Sequence, residues 1–295
     1  MFTRLAGIAT CIATSLALLA AGTLPASAAS PYYRGEQGGP HSYLALGDSV
    51  PFGFSPLASP EDASNFTGYP DFVADWLGLA LTNASCPGEA SGGFISLTGT
   101  DNSCRPYRAR FPLHVGYESS QLDFAIAFLD EHPRTKLVTL TLGANDAFVC
   151  ERTDGGCSPE EFRAVLADLR AHLNTIYREI RDVYQHQIVA VTYYALDYSD
   201  PQGVALTQSL NDVLASVTRQ YGGTVADGLA AFRPFAESAG GSSCEAGLLI
   251  RLPDGGCDIH PSPRGHRLLA AATGRAVLAG TAPGPSPASM LPGAA

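Results

Sequence analysis

The chain has 295 residues, 45% of them hydrophobic and 16% charged. That is too apolar and too weakly charged for a disordered protein, and long enough to bury a sizeable core. Lys and Arg number 18 against 28 Asp and Glu, for a formal net charge of −10; without a basic run, this argues against nucleic acid or anionic lipid headgroups as electrostatic partners. The 31 Gly and 21 Pro follow no fixed period, which removes collagen and solenoid architectures.

Residues 1–28 read as a secretory signal peptide. Arg4 gives a short basic start, Leu5 to Ala21 an apolar run, and Ala26-Ser27-Ala28 a small-residue cleavage site. Thr10, Thr14 and Ser15 break the apolar run, and no basic stop-transfer flank follows, so a membrane anchor fits less well. No later run is long enough to span a bilayer as a helix, and an exported protein is expected. Residues 29–42 form a polar, Gly/Pro-bearing arm, 43–280 one α/β domain without a linker, and 281–295 a flexible Pro/Gly/Ala-rich tail.

Beyond Cys11 six cysteines remain: Cys86, Cys104, Cys150, Cys157, Cys244 and Cys257. An even count in an exported chain favours disulfides, and six cysteines allow fifteen pairings. Sequence neighbours suggest Cys86–Cys104, Cys150–Cys157 and Cys244–Cys257. A metal site is disfavoured, because no C-x-x-C pair exists and no His stands at ligand spacing beside them.

In chain order, Tyr43 to Leu46 is a short buried strand ending in Gly47-Asp48-Ser49. Tyr69 to Leu79 and Gln121 to Glu131 are amphipathic helices, the second stopped by Pro133. Lys136 to Leu142 is a strand running into Gly143-Ala144-Asn145-Asp146. Ser158, Pro159 and Glu161 make a capping box, and an apolar stripe from Phe162 to Ile180 carries that helix to about Tyr184. Ile188 to Tyr193 is a strand, Val204 to Tyr221 a helix ended by Gly222-Gly223, and Leu268 to Leu278 belongs to a last helix. Strands separated by helices predict a parallel sheet covered on both faces. Ligands in such sheets bind beyond the carboxyl ends of the strands, so Gly47-Asp48-Ser49 and Gly143-Ala144-Asn145-Asp146 are expected at one edge.

These clusters carry a chemistry. A serine hydroxyl is a weak nucleophile until a base removes its proton, and His260, in Asp258-Ile259-His260-Pro261, is the best base available. Attack on an ester carbonyl creates an oxyanion that needs donors already aimed at it. Asn145 offers a side-chain amide, and Gly88, in Asn83-Ala84-Ser85-Cys86-Pro87-Gly88, a backbone N–H unobstructed by a Cβ.

Four blocks in this order resemble the SGNH hydrolases, or GDSL lipase/esterase family. Gly47-Asp48-Ser49-Val50 is similar to its nucleophile block, with Val50 for the usual Leu. Asn83 to Gly88 and Gly143 to Asp146 are similar to its second and third blocks. Asp258 to Pro261 with Gly265 is similar to its last. The resemblance implies a flavodoxin-like three-layer α/β/α sandwich with a mostly parallel sheet. It also implies Ser49 as nucleophile, His260 as base, and Ser49 N–H, Gly88 and Asn145 as the oxyanion hole. Exported actinobacterial members tend to have three disulfides. The G-x-S-x-G elbow of α/β-hydrolases is absent. One position departs: the family usually has Asp three residues before its His, and here that residue is Cys257. Asp258, two residues before, or else a backbone carbonyl, is left to orient the imidazole.

Each residue alone has an ordinary reading: a turn at Gly-Asp-Ser, a loop cap at Asn145, a satisfied histidine at His260. His266 is expected to pack within the last helix, and His41, His114, His132, His172 and His186 at the surface. Tyr193, Tyr194, Tyr198 and Trp76 are expected to pack rather than line an acyl pocket. The expectation is a secreted monomeric esterase or lipase that acts on small-molecule or lipid esters without metal or organic cofactor. The alternatives are a carbohydrate acetyl esterase, or a non-catalytic surface-binding protein on the same scaffold.

Overall fold

A computed structural model describes residues 41–153 and 155–281 of the chain. The signal peptide expected at 1–28, residues 29–40 of the arm and 282–295 of the tail lie outside the described residues.

The chain runs β1 (Ser42–Gly47), α1 (Ser49–Phe52), α2 (Tyr69–Leu77), β2 (Ala80–Asn83), α3 (Ser91–Ile95), α4 (Cys104–Arg108), α5 (Gln121–Glu131), β3 (Thr135–Thr141) and α6 (Ala144–Glu151). It continues as α7 (Pro159–Val183), β4 (Gln187–Val191), α8 (Pro201–Gln220), β5 (Thr224–Ala226), α9 (Gly228–Glu237), β6 (Leu249–Arg251), β7 (Cys257–Pro261) and α10 (Pro263–Thr281). Strands β1 to β5 form one parallel sheet in the order β2-β1-β3-β4-β5, the flavodoxin-like order. Strands β6 and β7 pair as a separate antiparallel ribbon.

Side chains alternate across the strands, and the core divides accordingly. Tyr43, Ala45, Leu137, Val189 and Val191 meet residues of α2, α9 and α10 on one face. Leu44, Leu46, Val138, Leu140, Ile188 and Ala190 meet α5, α7 and α8 on the other. The expected three-layer sandwich is therefore present. A third, smaller cluster of Phe52, Phe66, Leu113 and the Cys86–Cys104 pair sits under the loops beside the sheet.

The longest helix, α7, starts as its sequence dictates. Ser158 accepts from the Glu161 N–H while Glu161 accepts from the Ser158 N–H. Helix α8 begins at Pro201, three residues ahead of the expected Val204, because Asp200 caps it by accepting from Gln202 N. The long segments at 84–118 and 237–257 hold α3, α4 and β6.

In the order β2-β1-β3 the chain adds β2 on one side of β1 and then β3 on the other, and such a switch point opens a crevice at the carboxyl ends of β1 and β3. Ser49 follows β1, and Asn145 follows β3. The switch-point crevice of the described sheet thus opens between those two residues.

Candidate active site

The turn after β1 is shaped by its surroundings. Gly47 has φ +127°, and a Cβ there would lie 1.9 Å from the Thr141 carbonyl of β3; only glycine fits. Asp48, 1% exposed, caps α1 by accepting from Val50 N at 2.9 Å. It also accepts from the Tyr193 hydroxyl at 2.5 Å. Burial pushes its carboxyl up to about 6, with Tyr193, Val50 N and His260 pulling the other way. Ser49 is the first residue of α1, where a backbone N–H has no intrahelical partner.

His260 lies 211 residues further on, and its Nε2 is 2.8 Å from Ser49 Oγ. Its Nδ1 is hydrogen-bonded to Asp258 Oδ1, which also accepts from the His260 backbone N–H at 3.0 Å. A carboxylate can only accept, so Nδ1 carries the proton, Nε2 is the acceptor, and Ser49 donates to it. Burial alone would raise the Asp258 carboxyl, but the hydrogen bonds from His260 hold it below the usual carboxylate range. The Phe54 ring stands 5.0 Å from the imidazole and closes one side.

Asp258 and His260 are held by β7, where residues two apart share a face. A strand therefore brings an i−2 carboxylate to the imidazole, and Cys257, at the position the family gives to Asp, is bonded to Cys244 instead. Cys86–Cys104 and Cys150–Cys157 are the other two disulfides.

Gly88 has φ +86°, and a Cβ there would fall 2.7 Å from Asn102 O. Asn102 N in turn donates to Gly88 O at 3.0 Å. Asn145 Oδ1 accepts from Asn102 Nδ2 at 2.6 Å, and Asn145 Nδ2 donates to Glu89 O at 2.9 Å. Those two bonds fix the amide and occupy one of its two N–H groups, leaving the second for an oxyanion. Ser49, Gly88, Asn145 and His260 all line one cavity of about 960 Å³.

The surroundings hold residues that patterns did not single out. Asn102 orients Asn145. Gln121 brackets the Gly47 peptide, accepting from its N–H at 2.5 Å and donating to its carbonyl at 3.0 Å. Tyr193, expected in packing, also accepts from Ala144 N at 3.2 Å and lines the cavity with Tyr194. Trp76 packs at Gly274 of α10, outside the cavity. His172 is not a free surface residue: its Nδ1 is 2.8 Å from Ser91 Oγ, which donates to Asp146. His114 is likewise half-buried, with Nε2 2.9 Å from Phe52 O. Burial pulls His266 down to about 3, so it stays neutral within α10.

Parallel sheet order and site together define an α/β hydrolase-like fold of the SGNH esterase type. Residues 45–268 match the GDSL-like Lipase/Acylhydrolase family, and the chain belongs to that family. Among solved structures it is similar to an acetylxylan esterase from Geobacillus stearothermophilus, at 18% identity and a TM-score of 0.50, covering 80% of this chain and 94% of that one. A catalytic mutant of the same esterase aligns at 17% identity and a TM-score of 0.52, with the same coverage. These likenesses carry the fold. The comparison with curated proteins found no match.

Proposed function

We propose that this ester hydrolase is an exported serine lipase or carboxylesterase that works through an acyl-enzyme on Ser49. The observation that carries the reading is the unbroken relay Asp258–His260–Ser49, whose Ser49 and His260 line the cavity. His260 takes the Ser49 proton as Oγ attacks the ester carbonyl. The oxyanion lies between Ser49 N–H, Gly88 N–H and the spare Asn145 N–H. His260 then returns the proton to the departing alcohol, and a water that it activates releases the acid. Asp258 holds the imidazole tautomer and offsets the positive charge that develops on it. No step needs a metal or organic cofactor.

The cavity supports a substrate with an apolar acyl group. Phe148, Leu196, Leu206 and Ile259, each 39–47% exposed, line it. Helix α8 offers Gly203, Leu206, Thr207 and Leu210 at helical spacing, facing Phe148 of α6 and Phe162 of α7. Large apolar side chains left in water around a catalytic cleft mark a surface awaiting an apolar ligand. An acetyl group would leave most of that volume unused. Three disulfides support export, and so does the leader-like pattern of the sequence at 1–28.

The test is an acyl-chain series of p-nitrophenyl esters with wild type and Ser49→Ala. Each buried methylene is worth roughly fourfold in kcat/KM, so the value should climb from acetate to medium chains and vanish in S49A. An optimum at acetate would move the assignment to a carbohydrate or other polar-ester esterase. Turnover surviving in S49A, or no labelling of Ser49 by a fluorophosphonate, would remove the serine mechanism.

A further inference from the structure

Glu89 follows Gly88, and its side chain is 3% exposed. Its Oε2 accepts from Gln121 Nε2 at 3.2 Å and lies 3.4 Å from Cys104 Sγ. That sulfur is bonded to Cys86 and carries no hydrogen, so the contact is a hydrogen bond only when the Glu89 carboxyl donates. For the same reason Cys86, Glu89 and Cys104, though clustered, offer no thiolate to a metal. Gln121 is fully buried and clamps both polar groups of the Gly47 peptide, two residues before Ser49. The Glu89 backbone carbonyl holds Asn145 Nδ2. One residue therefore reaches the nucleophile's turn through its side chain and the oxyanion donor through its main chain.

The charged groups around Glu89 do not neutralise it. Asp101 adds a negative charge and is committed to the α4 N-terminus, accepting from Cys104 N and Arg105 N. Arg105 pairs with Asp101 at 3.4 Å. Arg108 donates to Ser119 O and Glu118 O and lies over the Tyr117 ring. Tyr117 donates to Ala84 O. Among the described residues no ion pair reaches the Glu89 carboxyl.

We propose that Glu89 is a positioning residue that works as a neutral carboxylic acid, holding Gln121 and with it the turn that carries Ser49 only while it keeps its proton. The proposal rests on the serine mechanism above. On ionisation the proton leaves to solvent, and the donor to sulfur is lost. The buried charge then has the Gln121 amide as its nearest dipole. Nε2 is drawn off Gly47 O, and the peptide ahead of Ser49 loses one side of its clamp. Burial, with Asp101 second, pushes this carboxyl up to about 8, against Gln121, Arg108 and Arg105.

The test is the pH profile of kcat for the full mature enzyme on p-nitrophenyl esters, comparing wild type, Glu89→Gln and Glu89→Ala. Wild-type kcat should fall on the alkaline side with a midpoint near the carboxyl's value of about 8. E89Q cannot ionise; with its amide oxygen in place of Oε2 it still accepts from Gln121 Nε2 and gives up only the contact with sulfur, so it should stay within about threefold of wild type at neutral pH and lose that alkaline fall. E89A should lower kcat about tenfold or more at every pH with KM little changed, the pattern of lost transition-state geometry. An alkaline limb identical in wild type and E89Q overturns the proposal, as does wild-type kcat in E89A. Should E89A fail to fold, the E89Q profile alone decides. Ser49→Ala in the same assay separates the two readings: turnover surviving there defeats the serine mechanism, whereas its loss with an unmoved E89Q profile defeats only the role of Glu89.

Discussion

Asp258 and His260 stand two residues apart on one face of β7, and the carboxylate of the first accepts the Nδ1 proton of the second. The same carboxylate accepts the His260 backbone N–H, so side chain and main chain of the histidine share one anchor. Replacing Asp258 by Asn presents an amide to Nδ1 and favours the wrong tautomer. D258N should lose about 10³- to 10⁴-fold in kcat, measured on a short-chain p-nitrophenyl ester. Retention of most of kcat would mean that another group orients the ring.

Asn145 is fixed on two sides, by Asn102 and by Glu89 O. Asn145→Ala removes a proposed oxyanion donor and should cost about 10²- to 10³-fold in kcat with a small change in KM. Asn102→Ala leaves the donor present but free to rotate, and a smaller loss, about tenfold, is expected. Equal losses in the two variants would show that Asn102 does more than orient its neighbour. Steady-state kinetics on one substrate check both.

Asp48 supplies a pH signature in stability. Its folded-state carboxyl sits at about 6 because burial disfavours the charge, whereas in the unfolded chain it titrates near the ordinary value of about 4. The folded state therefore binds this proton more tightly. The stabilisation is fully present below the unfolded value and is lost as pH rises through about 6. Asp48→Asn removes that dependence. The difference in Tm between D48N and wild type should become more favourable to D48N from pH 4 to 7, by an amount equivalent to roughly 3 kcal/mol at most. Thermal melts across that range check it; a pH-independent difference would reject it.

The Cys244–Cys257 bond ties the residue ahead of Asp258 to a chain position 13 residues earlier. A loop of about that length is worth roughly 3 kcal/mol in the unfolded-chain model. Cys244→Ser with Cys257→Ser should lower Tm and, by loosening the start of β7, also lower kcat. Unchanged kcat beside a lowered Tm would separate the staple from the catalytic geometry.

Much of this was legible in the sequence where local rules act. The capping box of α7 needs only Ser158, Pro159 and Glu161, and β1, β3 and β4 are apolar runs bounded by turns. Strands β2 and β5 escape the same reasoning, being four and three residues long and partly exposed. The four polar blocks are recognisable because each follows or precedes a regular element at a fixed place. Asn102, Gln121 and Glu89 have no such signature. Each is a single polar residue whose partner lies across the fold, as Gln121 with Gly47 at a separation of 74, and no periodicity encodes a contact of that kind. The i−2 carboxylate becomes readable only once Cys257–Pro261 is known to be a strand.

Ser49 and His260, the proposed nucleophile and base, come from opposite ends of the described chain, and His260 is seated by β7 and by α10, which packs across α2, β5 and α9. Among the described residues α10 is the last element in chain order. A polypeptide interrupted or clipped before Pro263 owns its serine, its oxyanion donors and most of its sheet, yet has nothing to dock the imidazole against. Ester cleavage should thus depend on the described fold as far as α10, and a copy cut short of that helix should be inactive on esters.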